Sequence, residues 1–139
     1  MPRALPYLEV AVTADTSRFW SELARGRVTL PWCAVCDRHV WFPKPICPAC
    51  LTTVEAERTL SGSGDVYSFS IVHRGVPAFA DASPYVLAYV SLDDGPTVLA
   101  NIVGDDALDV AIGDRVALVA GSAPLAMGAL RFARSEGQQ

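Results

Sequence analysis

The sequence predicts a mainly β chain built in two parts: a short helix leading into a small metal-stapled ribbon, then a five-stranded Greek-key barrel. Three observations carry that expectation. The only four cysteines, Cys33, Cys36, Cys47 and Cys50, form two C-x-x-C pairs ten residues apart, the spacing with which two knuckles supply four thiolates to one tetrahedral ion. Beyond residue 60 the chain runs as short apolar segments separated by turn signals, with period-two alternation in the first. The charge is also uneven. Residues 1–58 hold seven basic and six acidic side chains, whereas residues 59–139 hold four basic and nine acidic, an asymmetry expected of two units.

The elements follow in order. Residues 1–13 are punctuated by proline and expected to be extended. From Asp15 the pattern turns helical, with Phe19, Trp20, Leu23 and Ala24 apolar and Ser21, Glu22 and Arg25 opposite. Asp15 or Thr16 can cap this helix and Gly26 can end it. At about three turns it is too short to persist unless docked. Val28 to Trp32 reads as a strand feeding the first knuckle, and Asp37 to Ile46 as a short strand with a stiff Pro-bearing return. Thr52 to Leu60 is expected to cross into the next unit, with Ser61-Gly62-Ser63-Gly64 at the joint. In Val66 to His73, Tyr67, Phe69 and Ile71 are expected on one face and Ser68 and Ser70 on the other. Tyr85 to Leu92 is nearly all apolar, as a strand covered on both sides would be. Asp93-Asp94-Gly95-Pro96 turns the chain into a hairpin partner, Thr97 to Val103. Leu108, Val110 and Ile112 form an irregular apolar piece before a fourth strand, Arg115 to Ala120, and a fifth, Leu130 to Ala133. Five short strands with that interruption between the third and fourth suit a barrel of the OB type. The expected boundaries are 1–27 for the N-terminal segment and docking helix, 28–60 for the ribbon, 61–134 for the barrel and 135–139 for a disordered tail.

A closed four-thiolate site has no open coordination position, so the ion is structural. Zinc is preferred; iron is the alternative, since Cys47-Pro48-Ala49-Cys50 is also the form of an iron knuckle. Disulfides are the competing use of four cysteines. No apolar run is long enough for a membrane span, and the N-terminus lacks a signal peptide's apolar region, which places the chain in the reducing cytoplasm and favours metal. A catalytic zinc of the deaminase kind would require His-x-Glu, which neither His39 nor His73 provides. No P-loop, dinucleotide or nucleophile-elbow pattern is present, and the aspartates concentrate in turns. Phe19, Trp20 and Leu23 are either a docking face for a partner protein or packing for the chain's own ribbon near Trp32 and Trp41. Arg25, Arg27, Arg38 and Lys44 are either an anion patch for a phosphate-bearing ligand such as coenzyme A or a solvated basic rim. His73 is either a base or anion ligand, or a solvated strand end.

The chain as a whole resembles a known family, the zinc-ribbon/OB-fold accessory proteins that partner thiolase-like enzymes of acyl-CoA metabolism, long classed as a domain of unknown function. The resemblance rests on Phe19-Trp20 through Gly26-Arg27, Leu30-Pro31-Trp32-Cys33 with Cys36, and Phe42-Pro43 ahead of Cys47-Pro48-Ala49-Cys50. It continues through Ser61 to Phe69, Val72-His73, Pro84-Tyr85 and Ile112 to Val116. It implies a helix, a rubredoxin-like zinc ribbon and an OB-fold barrel. It also implies a non-catalytic subunit bound to a thiolase-like or ketosynthase-like protein, needed for acyl transfer, condensation or retro-aldol cleavage of a coenzyme A thioester, including steroid side-chain degradation. The catalytic residues would then lie in the partner. One departure stands out: glycine commonly follows each C-x-x-C in the family, whereas Asp37 and Leu51 occupy those places here. Leu tolerates a left-handed backbone poorly, so the second knuckle is expected to be shaped differently.

Two other functions compete. A stand-alone acyl-CoA-binding protein would use the basic residues alone. A single-stranded nucleic-acid module would need a positive groove with stacking aromatics. A net charge of −4 with a pI near 5.0 disfavours the second, as does a spacing of barrel aromatics that reads as core.

Overall fold

The computed structural model describes residues 11–119 and 130–135. The expectations for residues 1–10, for Ala120 in the fourth barrel strand and for the tail at 136–139 lie outside them. The helix α1 spans Ser17–Ala24. Thr16 holds the N-cap position but makes no capping bond with its side chain. Its Oγ1 instead accepts the N–H of Thr13 at 3.1 Å. At the other end Gly26 has φ +84°. The Gly26 N–H reaches the Leu23 carbonyl and the Arg27 N–H the Glu22 carbonyl, both at 2.9 Å, so the last turn closes as a Schellman motif that needs a left-handed residue.

The helix docks on a three-stranded ribbon. Its central strand β1 (Thr29–Cys33) pairs antiparallel with β2 (Arg38–His39) and β3 (Ala56–Thr59). The segment expected merely to cross to the barrel therefore supplies the ribbon's third strand, in register Thr29 to Thr59 and Trp32 to Ala56. Its four residues are all exposed, so no apolar periodicity marks it in the sequence.

The barrel consists of β4 (Ser63–Val72), β5 (Tyr85–Leu92), β6 (Thr97–Val103), β7 (Arg115–Leu118) and β8 (Leu130–Arg134), closed in the order β4-β5-β6-β8-β7. All pairings are antiparallel except β6 with β8. This is the expected OB topology of a mainly β chain. Gly64 is dictated by close approach, since a Cβ there would collide with the Ser91 carbonyl.

Two strand expectations are corrected. A β-bulge between Val66 and Ser68 leaves Tyr67 unpaired. The bulge shifts the alternation by one, so Gly64 and Val66 point inward before it, and Phe69 and Ile71 pack on the core after it. Tyr67 is consequently thrown outward and is 67% exposed. β5 is not covered on both sides either. Val86, Ala88, Val90 and Leu92 are buried, while Leu87 and Tyr89 lie exposed on the opposite face. In the irregular piece only Val110 enters the core, and Leu108 and Ile112 are exposed.

The aromatic stripe of α1 is not an open docking face. Phe19, Trp20 and Leu23 are all buried, with Phe19 edge-on to Trp41 and Phe42 at centroid separations of 5.7 and 5.6 Å. They join Val28, Leu30 and Leu60 and the barrel interior in one continuous core. An eight-residue helix cannot stand alone in water, and burying three large apolar side chains is what holds it. A second, smaller cluster at the ribbon tip contains Cys33, Val40 and Cys47, flanked by Cys36, Cys50 and Val54.

Candidate functional site

The ribbon tip gathers the four cysteines. Cys33 ends β1, Cys36 sits in the turn before β2, and Cys47 and Cys50 bracket the second turn. Their sulfurs lie within 4.8 Å of one another, with Cys33 and Cys50 Sγ 3.6 Å apart and Cys36 and Cys47 Sγ 3.9 Å apart. A tetrahedron of thiolates around zinc or iron, with metal–sulfur bonds near 2.3 Å, has edges of about 3.8 Å. The donor set thus fits a tetrahedral ion without rearrangement, and the spacing is too long for disulfides, whose S–S bond is about 2.05 Å. The four cysteines form a group that could hold a structural metal ion.

The surrounding groups prepare the thiolates. The Cys36 N–H donates to Cys33 Sγ at 3.4 Å. Thr52 Oγ1 lies 3.2 Å from Cys50 Sγ, and this contact holds the Cys50 thiol down to about 6. Backbone N–H groups at Cys50 and Ala49 lower Cys47. With its neighbours already favoured as thiolates, Cys36 is pushed up to about 12, the Cys50 sulfur being the main cause. Lowering at Cys47 and Cys50 beside raising at Cys36 is the pattern expected of thiols crowded together where a cation would neutralise charge. Both knuckles turn through a left-handed residue, Asp37 at φ +57° and Leu51 at φ +66°. The second knuckle is thus shaped like the first, contrary to the sequence expectation. Leu51 is 75% exposed, so its side chain meets no obstruction and the cost is confined to the backbone.

Beneath the tip, a cavity of about 570 Å³ opens between the ribbon and the β5–β6 turn, lined by Trp32, Arg38, His39, Trp41, Asp94 and Pro96 among others. The Arg58 guanidinium lies 3.7 Å from the Trp32 ring centroid, and His39 packs edge-on against that ring at 4.8 Å. His39 Nδ1 is buried without a hydrogen-bond partner, and burial lowers its pKa. His39 is not among the gathered metal-binding set.

The five residues considered for an anion patch are not brought into one constellation. Arg25 and Arg27 converge, but on a carboxylate of the chain itself. Glu22 is 3% exposed and accepts from Arg27 Nε at 2.8 Å and Arg25 NH1 at 3.3 Å, with Arg18 NH1 at 3.4 Å. The Arg27 bond above all holds the Glu22 carboxyl below its usual range. Arg38 lies on β2 at the cavity, Lys44 donates to the Phe42 carbonyl at 3.4 Å, and His73 follows β4 in an exposed turn. The pattern missed by sequence reasoning is the apolar outer wall of the barrel, Tyr67, Leu87, Tyr89 and Leu99. Nothing in the sequence separates outward from inward apolar residues without the position of the bulge.

A family model of the ChsH2 rubredoxin-like zinc ribbon domain matches residues 20–55, and one of the ChsH2 C-terminal OB-fold domain matches residues 57–121. A DUF35 domain-containing scaffold protein of Methanothermobacter thermautotrophicus is 35% identical over 108 residues, which span 76% of this chain and 80% of that one. The chain belongs to the DUF35 family. A second DUF35 domain-containing scaffold protein, from Pyrococcus furiosus, is also 35% identical, over 76% of this chain and 77% of its own length. A probable enoyl-CoA hydratase alpha subunit of Thermomonospora curvata is 38% identical over 68% of this chain, but the match covers only 29% of that longer protein. Among solved structures, a chain of an Ltp2-ChsH2(DUF35) aldolase superposes with a TM-score of 0.73 at 28% identity, covering 90% of this chain and 98% of that one. A DUF35 protein of Sulfolobus solfataricus shares the fold at 16% identity, with a TM-score of 0.65 and coverage of 89% and 87%. No helix among the described residues is long and apolar enough to cross a membrane.

Proposed function

We propose that this DUF35 chain is a non-catalytic accessory subunit of a cytoplasmic complex whose partner, a thiolase-fold enzyme of the thiolase, ketosynthase-like or retro-aldolase kind, acts on acyl-CoA thioesters. The observation that carries the reading is the structural match, over 90% of this chain, to a chain of an Ltp2-ChsH2(DUF35) aldolase. The scaffold naming of two relatives and the acyl-CoA enzyme subunit among the others point the same way. Degradation of steroid or lipid side chains is the setting that best suits such an aldolase.

In this reading the ribbon binds structural zinc through Cys33, Cys36, Cys47 and Cys50. Zinc suits the site better than iron because a closed thiolate shell with a purely structural role needs no redox chemistry. The bound ion supplies charge neutralisation and a cross-link between the two knuckles. The chain's own residues do the rest: Thr52 and the knuckle N–H groups prepare the thiolates, and α1 and β1 fix the ribbon to the barrel. The Michaelis complex, the nucleophile and the proton transfers belong to the partner. Of the residues considered for coenzyme A phosphates, Arg25 and Arg27 are engaged by Glu22, which leaves Arg38, Lys44 and His73, at separate places, for contact with a thioester held chiefly by that partner.

Co-expression with a thiolase-fold protein from the same organism tests the reading. A stable complex in size-exclusion chromatography, with thioester turnover only in the pair, is the expected result. A chain that stays monomeric in that partner's presence, or that turns over a thioester unaided, would overturn it. Saturable calorimetric binding of coenzyme A to the isolated chain would instead support a stand-alone acyl-CoA-binding protein.

A further inference from the structure

The outer wall of the barrel has a feature that the metal site and the core do not use. Tyr67, Leu87, Tyr89 and Leu99 lie on three adjacent strands and are 67, 37, 49 and 47% exposed. Tyr89 stands directly opposite Leu99 on β6 and opposite Ser68, beside the bulged Tyr67, on β4; Leu87 is two residues along the same face of β5. The outward positions between and beside them are Ser68, Ser70, Ser91, Thr97 and Asn101, so the centre of the wall carries no charge; Asp65, opposite Ser91, and the buried Arg131, opposite Asn101, lie at its margin. The bulge sets two residues of β4, Tyr67 and Ser68, against Tyr89 on this face.

This wall covers the first three barrel strands, the region with which OB folds hold oligomeric ligands. Aromatic residues there are the usual platform for single-stranded bases, but such platforms sit in a groove of Lys and Arg that tracks the phosphates. Here both ends of β6 are acidic, with Asp93–Asp94 before it and Asp105–Asp106 after it. Arg115 pairs with Asp93 and Arg134 with Asp106, which leaves the second carboxylate of each pair in surplus. An apolar centre with acidic ends is complementary to a protein face with an apolar centre and a basic rim. A second copy of the same chain would set acidic ends against acidic ends, because a two-fold interface brings a patch against itself.

We infer that the Tyr67–Leu87–Tyr89–Leu99 wall is the docking surface for the partner subunit, and that the face it meets is apolar at its centre and rimmed by Lys or Arg. The inference rests on the accessory-subunit reading and assigns it a surface.

The test compares the unaltered chain with Leu99→Glu, Tyr89→Ser and, on the ribbon tip, the exposed Val35→Glu, each titrated calorimetrically with the thiolase-fold protein that the co-expression experiment identifies as partner. Leu99→Glu and Tyr89→Ser are expected to weaken binding at least tenfold while metal content and melting temperature stay as in the parent, since both side chains point outward. Val35→Glu is expected to bind as the parent does. Binding that survives both wall variants overturns the wall assignment and leaves the accessory reading standing; loss of binding in Val35→Glu alone would move the surface to the ribbon. If the unaltered chain does not bind, both readings fall. The same variants are run on oligo(dT) retention and on the free chain's elution volume. Wall-dependent retention of oligo(dT), or a wall-dependent dimer, would overturn the assignment by naming a different occupant.

Discussion

Leu51 shows how much a single residue can disagree with its place and still be tolerated. It holds φ +66° after the second knuckle, where a β-carbon costs roughly 1–2 kcal/mol. Leu51→Gly removes that strain but adds freedom to the unfolded chain. The metal-loaded protein is therefore expected to gain about 0.5–1 kcal/mol, read as a higher urea midpoint; an unchanged or lower midpoint would show that the left-handed turn is not strained. Glu22 is a different case, a buried carboxylate answered by Arg27, Arg25 and Arg18. Its pKa is depressed from 4.5, chiefly by the Arg27 hydrogen bond. A depressed carboxylate contributes stability above its unfolded pKa, and that stability is lost as pH falls from 4.5 through the lower folded value. Acid also releases metal from thiolates, so the informative quantity is the difference between the parent and Glu22→Gln. That difference should be largest at neutral pH and shrink below about pH 4.5. A difference that is constant with pH would show that Glu22 is not held ionised by the arginines. At this scale the sequence was legible where chemistry depends on spacing, as with the cysteines. It was not legible for Glu22, because a glutamate on the polar side of a helical wheel gives no sign that Arg27 and Thr29 will enclose it.

At the scale of elements, α1 was readable because its apolar residues repeat at helical spacing and Gly26 closes it. Whether its stripe faced a partner or the chain itself was undecidable until β1 and the Trp41–Phe42 loop were in place. Leu23, 2% exposed at the middle of that contact, is the sharpest probe. Leu23→Ala is expected to cost about 2–5 kcal/mol and to lower the melting temperature without loss of metal stoichiometry. A loss under about 1 kcal/mol would mean that the helix is held some other way. The β4 strand was misread for a definite reason: period-two counting assumes no extra residue, and the bulge at Tyr67 is one. That yields a prediction about deletions. Removing Tyr67 leaves Val66, Phe69 and Ile71 all pointing inward, so the barrel should fold with its core intact. Removing Ser70 instead turns Ile71 outward, with a cost on the order of 1–2 kcal/mol for a half-buried aliphatic side chain. Equal stability of the two deletions, compared by thermal unfolding, would contradict the register.

The whole molecule is joined more closely than its charge asymmetry suggests. The base of the ribbon shares one core with the barrel, from Phe19 and Leu30 through Leu60 to Val66 and Phe132. Only the tip, around Cys33, Val40 and Cys47, is packed separately. That division decides what removal of the ion does. The tip has a handful of small apolar groups and four sulfurs crowded together, too little to hold two turns closed without a cation, and in such sites binding energy is folding energy. The base has a continuous apolar core that makes no call on the metal. Chelation at neutral pH should therefore melt the tip, with amide protons between residues 33 and 54 losing their protection from exchange, while Val86, Val90 and Ile102 in the barrel stay protected. Cys33→Ser should do the same and lose about one equivalent of metal per chain. Exchange that remains slow at the tip after the ion is gone would show that the knuckles fold without it. Collapse of the barrel together with the tip would show instead that the two cores are energetically one.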